Sequence, residues 1–294
     1  MTARDVSGLP ALAVWSSIPA MLKRFYQFVV LDSIAAMERP SAPVEVGGRS
    51  PLFKATTALV ATALLLILLN FVALNFDIQD GVAVALWSFV SSLGDGPVKD
   101  ALLAVAPPYR HAAWTAGCVV FYFVMPAMIV RLVFRQPLAA YGLTGRAFFR
   151  HLPIYLLLLA PVLVIVLIVS GSPAFQATYP FYKHPSGWAD LLVWEVLYVS
   201  QFFALEFFFR GFMLHATRDR LGALAVPVML IPYVMIHFTK PMPEALGAVV
   251  AGTVLGVLSL RTGTILGGVL VHAAVAVAMD VAALVQRGDL PGMH

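Results

Sequence analysis

The sequence predicts an all-α protein: a polytopic transmembrane helical bundle of about seven or eight spans with a membrane-embedded polar cavity. Of the 294 residues, 61% are hydrophobic and 12% are charged, whereas a soluble domain has about 45–50% apolar and about 25% charged residues. The apolar residues form long unbroken runs, which argues against a β-barrel with alternating strands. Because only helices and closed barrels satisfy the backbone in lipid, we expect helices throughout the membrane part.

Seven apolar runs reach or approach the length of about 20 residues that a spanning helix needs. In chain order they are 56–76, 112–134, 152–170, 191–217, 222–238, 243–260 and 264–285. The run 81–93 is shorter and is followed by Gly94 and Pro97. It predicts an interfacial or re-entrant helix, with an eighth span as the alternative.

This pattern divides the chain into three parts. Residues 1–50 are expected to form a cytoplasmic N-terminal segment with surface helices and, at 39–48, a linker rich in Pro and Gly. Residues 51–136 hold two spans with the interfacial helix between them. Residues 137–294 form a membrane core that carries the polar motifs described below.

Basic residues are concentrated in alternate loops, which predicts a cytoplasmic N-terminus and a location in the bacterial inner membrane. The net charge of +4 comes from residues that fall between apolar runs. We therefore expect contact with the lipid bilayer and no nucleic-acid partner. Cys118 is the only cysteine, so an intramolecular disulfide and a cysteine-based metal site are both excluded.

Glu206 and Arg210 place an acid and a base inside the fourth apolar run. At a spacing of four residues they share one helix face, with the acid N-terminal to the base. One interpretation is an ion pair that solves its own desolvation problem. The other is an active-site acid, since charges within a membrane span are costly and usually functional.

Two histidines lie on later spans. His237 ends the fifth apolar run and is compatible with a simple packing role, whereas His272 lies inside the last run among small residues. From the inner ends of their spans, Glu206, His237 and His272 lie at depths of roughly 18, 22 and 13 Å at about 1.5 Å per residue. One acid and two imidazoles at similar depth predict a hydrolytic site, in which the carboxylate activates water.

The same three side chains, Glu206, His237 and His272, are candidate ligands for a divalent metal such as zinc, so the cofactor remains open between a metal and none. Two further acids are weaker candidates. Glu195 lies eleven residues before Glu206 on nearly the same face, and Asp280 lies eight residues after His272. Both are expected at most to line the cavity.

These residues give the chain a resemblance to the CPBP family (Abi, CAAX protease and bacteriocin processing) of intramembrane proteases, which includes the Rce1-like CAAX prenyl proteases. That family carries EExxxR, FxxxH and HxxxN motifs on successive helices. Here they read 205–210, 233–237 and 272–276, and the order and spacing match. Tyr141-Gly142-Leu143 and the pair Lys240-Pro241, with Glu244 after it, are also similar to the family.

The resemblance implies a catalytic site of Glu206, His237 and His272, supported by Arg210, Tyr233, Lys240 and Glu244. Two positions depart from the motifs, because Leu205 replaces the first glutamate and Ala276 replaces the asparagine. The first glutamate is thought to activate water in the prenyl proteases, so its loss bears on activity.

Three functional hypotheses follow. The first is an intramembrane endopeptidase that cleaves a membrane-associated protein or peptide. The second is a catalytically inactive family member that binds or scaffolds another membrane protein, as the two departures suggest. The third is a small transporter with Glu195, Glu206 and Arg210 along its path, which the absence of inverted repeats disfavours. No HExxH zinc motif and no rhomboid-like serine–histidine pair is present.

Overall fold

A computed structural model describes residues 19, 20, 23, 27, 49–106, 108–146 and 148–293 of the chain. The described residues form helices and turns and contain no strand. The predicted surface helices and linker of residues 1–50 lie almost entirely outside this part. The all-helical fold class is confirmed.

Eleven helices are numbered here in chain order, within the described part of the chain. They are α1 Pro51–Ala73, α2 Phe76–Ser91, α3 Pro97–Ala104, α4 Tyr109–Val133, α5 Phe148–Val169, α6 Pro173–Thr178, α7 Trp188–Glu206, α8 Leu214–Leu221, α9 Ala225–Met235, α10 Met242–Thr262 and α11 Leu266–Arg287. A π-helical stretch, Phe207–Met213, joins α7 to α8 without a break, and a short 3₁₀ turn, Leu138–Tyr141, precedes α5.

Local sequence explains where several of these helices begin and end. The side chains of Ser50 and Asn75 accept hydrogen bonds from backbone N–H groups in the first turns of α1 and α2, which is the usual N-cap arrangement. Gly263 and Gly288 follow α10 and α11 with φ of 68° and 74°. Glycine takes this left-handed conformation at little cost and so ends a helix.

Among the residues that the structure describes, six helical stretches are long and apolar enough to cross a membrane. Five of them correspond to single predicted spans, whereas Trp188–Met235 contains two, 191–217 and 222–238. This stretch has 48 residues, and a straight helix of that length would be about 72 Å long, far more than a bilayer core of about 30 Å. Gly222, with φ 56°, divides it. The chain is thus a multi-pass membrane protein.

The shorter apolar run folds as α2, a helix of 16 residues, and it is not among the six membrane-length stretches. It ends at Ser91, so the glycines at 94 and 96 lie beyond it. Whether α2 lies at the interface or re-enters the membrane stays a prediction.

The stretch from α7 to α8 forms the centre of the bundle. Phe207, Phe208, Phe209 and Phe212 are all fully buried, and so is Arg210 between them. The three consecutive phenylalanines therefore pack on neighbouring helices rather than on lipid. The polar pair of the first motif, Glu206 and Arg210, therefore lies in the buried interior of the bundle.

Candidate active site

The Glu206–Arg210 ion pair lies where α7 passes into the π-helical stretch. Oε1 of Glu206 is 2.9 Å from Nη1 of Arg210, and both side chains are fully buried. Single π-helical turns are rare and often occur at functional sites. The predicted pairing on one helix face is present, and neither side chain is exposed on the surface of the protein.

His272 meets Glu206 from α11. Its Nδ1 is 3.0 Å from Oε1 of Glu206, and the imidazole is 18% exposed, whereas the carboxylate is fully buried. Because a carboxylate next to an arginine accepts hydrogen bonds, Nδ1 carries the hydrogen of this bond. Nε2 is then left with its lone pair free, and Phe202 packs against the ring at a centroid distance of 4.5 Å.

Two adjacent glycines of α11 make room for this contact. A Cβ atom at Gly268 would come within 3.0 Å of Oε2 of Glu206, and one at Gly267 would overlap the ring of Tyr155 from α5. Tyr155 is itself 1% exposed. Any larger residue at either position would displace the carboxylate or the tyrosine, so the glycine pair is part of the site.

His237 lies two residues beyond the end of α9 and is held differently. Its Nδ1 is 2.8 Å from the carbonyl oxygen of Tyr233. Since a carbonyl oxygen only accepts, Nδ1 is again the protonated nitrogen and Nε2 carries the lone pair. The ring of Tyr233 packs against the same imidazole and also lies under the guanidinium of Arg210, 3.9 Å from its centroid.

Two separate sets of contacts hold the three predicted catalytic residues. Glu206 and His272 share a hydrogen bond, whereas the contacts of His237 run to Tyr233 and, through that residue, to Arg210. Within the described part of the chain, no three His, Cys, Asp or Glu side chains are grouped closely enough to hold a metal ion. Binding of a divalent metal by Glu206, His237 and His272 stays a prediction.

The two residues that depart from the family motifs lie in apolar surroundings. Leu205 is 5% exposed and packs in the main hydrophobic core. Ala276 is 4% exposed and packs in a separate cluster with Trp194 and Tyr198. Both replacements thus put an apolar side chain at a position where the family motifs have a polar one.

The weaker polar candidates assemble into a second cluster, toward the other end of the α7–α11 contact. Asp280 accepts hydrogen bonds from Nε1 of Trp194 at 2.8 Å and from the backbone N–H of Phe181 at 3.4 Å. Both carboxylate oxygens of Glu195 are buried, without a hydrogen-bond partner in the described part. Glu195 and Asp280 are thus separate from the Glu206–His272 contact.

Lys240 and Glu244 belong to this second cluster and meet through Tyr179. The hydroxyl of Tyr179 donates to Glu244 at 2.9 Å and accepts from Nζ of Lys240 at 3.3 Å. Burial lowers the pKa of Lys240, against the charges of Glu244 and Asp280, which raise it. Burial raises the pKa of Tyr179, and so does the neighbouring charge of Glu244.

An apolar groove of about 760 Å³ runs beside the site. It lies between α5, α7 and α11, and its walls include Ala273 and Ala274, which directly follow His272. Its walls are almost entirely carbon, in contrast to the polar cavity that the sequence predicts. A hydrophobic part of a ligand would find complementary surface there.

Several site residues escaped the sequence analysis. Tyr155, Tyr179 and Trp194 lie on segments without a motif, and only the tertiary fold brings them to the polar groups. Gly268 had a local signal, because a pair of glycines one turn before a buried histidine indicates a close approach by another chain segment.

The comparisons with known proteins bear on this geometry. Residues 187–278 match the family model described as type II CAAX prenyl endopeptidase Rce1-like. We refer to this matched range as the Rce1-like region. The matched range is about a third of the chain and contains all three motifs, so the resemblance seen in them is confirmed. No curated protein and no solved structure matches the chain.

The Rce1-like region runs from the start of α7 to the middle of α11. It therefore includes Glu206, Arg210, Tyr233, His237 and His272. Asp280 lies just beyond its end, whereas the segment 141–143, for which the sequence also suggested similarity, lies well before its start.

Proposed function

We propose that the chain is an intramembrane endopeptidase that hydrolyses a peptide bond of a membrane-associated protein or peptide. The observation that supports this most directly is the hydrogen bond between Glu206 and His272, which is 3.0 Å long and lies in the middle of an Rce1-like region. A buried carboxylate that orients an imidazole is the arrangement by which hydrolases make histidine a base.

In the proposed reaction, Glu206 and His272 activate water as a unit. Glu206 is fully buried, whereas the side chain of His272 is 18% exposed, so Nε2 of His272 is the proposed atom that meets water. A water molecule attacks the peptide carbonyl carbon while Nε2 takes its proton. The same proton then passes to the departing amine, and the carboxylic acid of the other product loses its own proton to water or to the amine.

Arg210 and His237 have supporting roles. Arg210 compensates the charge of Glu206 in a place that water does not reach, which keeps the carboxylate ionised and its orientation fixed. His237 presents Nε2 as a second polar atom, to orient the attacking water or, when protonated, to stabilise the oxyanion. With Leu205 at the first motif position, this pairing does not require a second glutamate.

The substrate is proposed to be anchored in the bilayer, and the protein to reside in the bacterial inner membrane with its N-terminus in the cytoplasm. The apolar groove beside His272 would hold the hydrophobic part of such a substrate next to the reacting atoms. A prenylated peptide is one member of this class, and an unmodified peptide with an apolar segment is another.

Cleavage by the purified full chain in liposomes tests the function. The substrates are membrane-anchored peptides with a fluorophore and quencher, with and without a prenylated cysteine, and mass spectrometry identifies the new termini. Glu206→Gln and His272→Ala are each expected to lower the rate by about a hundredfold or more, since general-base catalysis contributes about 10²–10⁴.

His184→Ala is the matched control, because His184 is an exposed histidine in the segment between α6 and α7. It should cleave at the wild-type rate. An unchanged rate in both Glu206→Gln and His272→Ala would remove these residues from the mechanism. An inactive wild-type protein on the whole peptide panel would favour the second candidate function.

The second candidate is an inactive family member that binds or scaffolds another membrane protein. The observation that favours it is the apolar packing of Leu205 and Ala276, which leaves no polar group at two motif positions. Under this hypothesis, His237→Ala and His272→Ala retain the cellular phenotype of the wild type at normal protein level. Loss of the phenotype in these variants would contradict it.

A further inference from the structure

We propose that Tyr233 is a positioning residue that connects the Glu206–Arg210 ion pair to His237, so that one ion pair orients both histidines. The inference rests on the proposed function for its catalytic consequence. Its structural content, that the placement of His237 depends on the ring of Tyr233, can be tested in a protein of any activity.

The first contact is between Tyr233 and Arg210. The guanidinium carbon lies 3.9 Å from the centroid of the Tyr233 ring, well within the distance of about 6 Å at which a cation is attracted to an aromatic face. Arg210 is fully buried and Tyr233 is 2% exposed. Since water does not compete here, this contact is at the strong end of its range.

The second contact is between Tyr233 and His237. The carbonyl oxygen of Tyr233 accepts a hydrogen bond of 2.8 Å from Nδ1 of His237, and the two rings meet edge to face at a centroid distance of 4.9 Å. The backbone bond sets the tautomer of the imidazole, and the ring contact sets its tilt. His237 follows the end of α9, and its backbone lies in a turn in which its N–H donates to the carbonyl of Val234 at 2.9 Å; the orientation of its imidazole is set by the two contacts with Tyr233.

The ring of Tyr233 has little freedom of its own. Phe209 packs edge to face against it at 5.3 Å. On the opposite helix, a Cβ atom at Gly252 would lie 2.8 Å and 3.0 Å from two carbons of the ring. The absence of a side chain at Gly252 is therefore what allows α10 to close on Tyr233.

These contacts form a single path through the site. Glu206 holds His272 by a direct hydrogen bond, and Arg210 holds His237 through the ring of Tyr233. The two imidazoles thus keep a defined relative placement although no hydrogen bond joins them. A misplacement of about 1 Å can cost on the order of 10²-fold in rate, so this path has a catalytic consequence.

The experiment displaces the ring in two ways and measures each histidine separately. Tyr233→Leu removes the ring, and Gly252→Ala pushes it from α10. Tyr233→Phe keeps the ring and the carbonyl, and Gly247→Ala is the control on the same helix, where a Cβ meets nothing within 4 Å. The purified full chain in detergent is treated with diethylpyrocarbonate, and mass spectrometry follows acylation of His237 and His272.

In Tyr233→Leu and Gly252→Ala we expect acylation of His237 to rise about threefold or more, while that of His272 stays within twofold of wild type. In the cleavage assay, kcat is expected to fall about tenfold with KM within twofold, as for a lost orientation rather than a lost contact with substrate. Tyr233→Phe keeps the ring, so acylation of His237 should stay within twofold of wild type, and Gly247→Ala should match the wild type in both measurements.

Each outcome decides the question. Unchanged acylation of His237 in both test variants overturns the inference, and so does an equal rise at His272, which indicates general loosening of the bundle. If Tyr233→Leu does not fold, Gly252→Ala gives the answer, since it retains every side chain of the path. Selective acylation of His237 in a wild-type protein that cleaves no peptide would uphold the positioning and refute the peptidase.

Discussion

At the scale of single residues, Glu206 and Arg210 dominate the energetics, because both are ionised groups with no exposed surface. Breaking a buried ion pair by removing one partner typically costs about 3–5 kcal/mol, since the other charge remains uncompensated. Arg210→Met should therefore destabilise the protein by this amount, measured as unfolding of the purified chain in detergent.

The double variant Glu206→Gln/Arg210→Met provides the control for this prediction. It removes both charges and keeps the approximate volume of each side chain, so it is expected to recover at least half of the lost stability. A double variant as unstable as Arg210→Met would show that the loss comes from packing of the arginine and not from the unpaired carboxylate.

Gly268 gives a second prediction at this scale. Gly268→Ala places a methyl group within 3.0 Å of Oε2 of Glu206, which must shift the carboxylate away from His272. We expect a fall of about tenfold or more in cleavage rate, measured with the membrane-anchored peptide. Gly81→Ala on α2, where a Cβ has open space, should leave the rate unchanged.

The residue scale also shows which parts of the site the sequence could predict. The pairing of Glu206 with Arg210 followed from a spacing of four on one helix, and the importance of His272 followed from its depth in a span. The close packing of Tyr155 on Gly267 could not be predicted in this way, because it joins α5 and α11, which are more than a hundred residues apart in sequence. The contacts of His237 with Tyr233 could not be predicted either, because they depend on where α9 ends.

At the scale of elements, the segment 138–144 fixes the position of α11. The backbone N–H of Ile265 donates to the carbonyl of Gly142 at 3.0 Å, and the hydroxyl of Thr264 donates to the carbonyl of Thr144 at 2.7 Å. Both bonds lie at the start of the helix that carries His272. The segment therefore sets where α11 begins, and through it the height of the imidazole.

Gly142→Ala tests this arrangement. Gly142 has φ 79°, and a Cβ there would lie 2.8 Å from the side chain of Ile265. A left-handed conformation costs a residue with a side chain roughly 1–2 kcal/mol, so the variant should unfold at a lower temperature than wild type in detergent. Gly145→Ala in the same segment meets nothing within 4 Å and should unfold like wild type. Equal melting of the two variants would show that the segment does not hold α11.

Element boundaries were predicted less completely than element type. The apolar runs identified every membrane-length helix, because hydrophobicity over about 20 residues is a strong signal. The π-helical stretch 207–213 has no comparable signal, since it depends on how the four phenylalanines pack in the bundle. The sequence did separate the runs 191–217 and 222–238, and Gly222 lies at this division with φ 56°, a conformation that glycine takes without strain.

At the scale of the whole molecule, the orientation in the membrane decides from which side a substrate reaches the site. The alternation of basic loops predicts that residues 218–221 face the cytoplasm and that residues 171–187 face the opposite side. The side chains of Arg220 and His184 are exposed in these two segments. They provide one reporter position on each face.

Cysteine labelling checks this orientation with little background, because Cys118 is the only cysteine and is 1% exposed. In intact bacterial cells, a membrane-impermeant maleimide is expected to label His184→Cys and to label Arg220→Cys only after permeabilisation. The unmodified chain should remain unlabelled in both conditions. The opposite pattern would reverse the orientation, and the second polar cluster around Asp280 and Lys240 would then lie toward the cytoplasm. In that case, each end of the site would face the opposite leaflet from the one that the basic loops predict, and test substrates would have to be anchored accordingly.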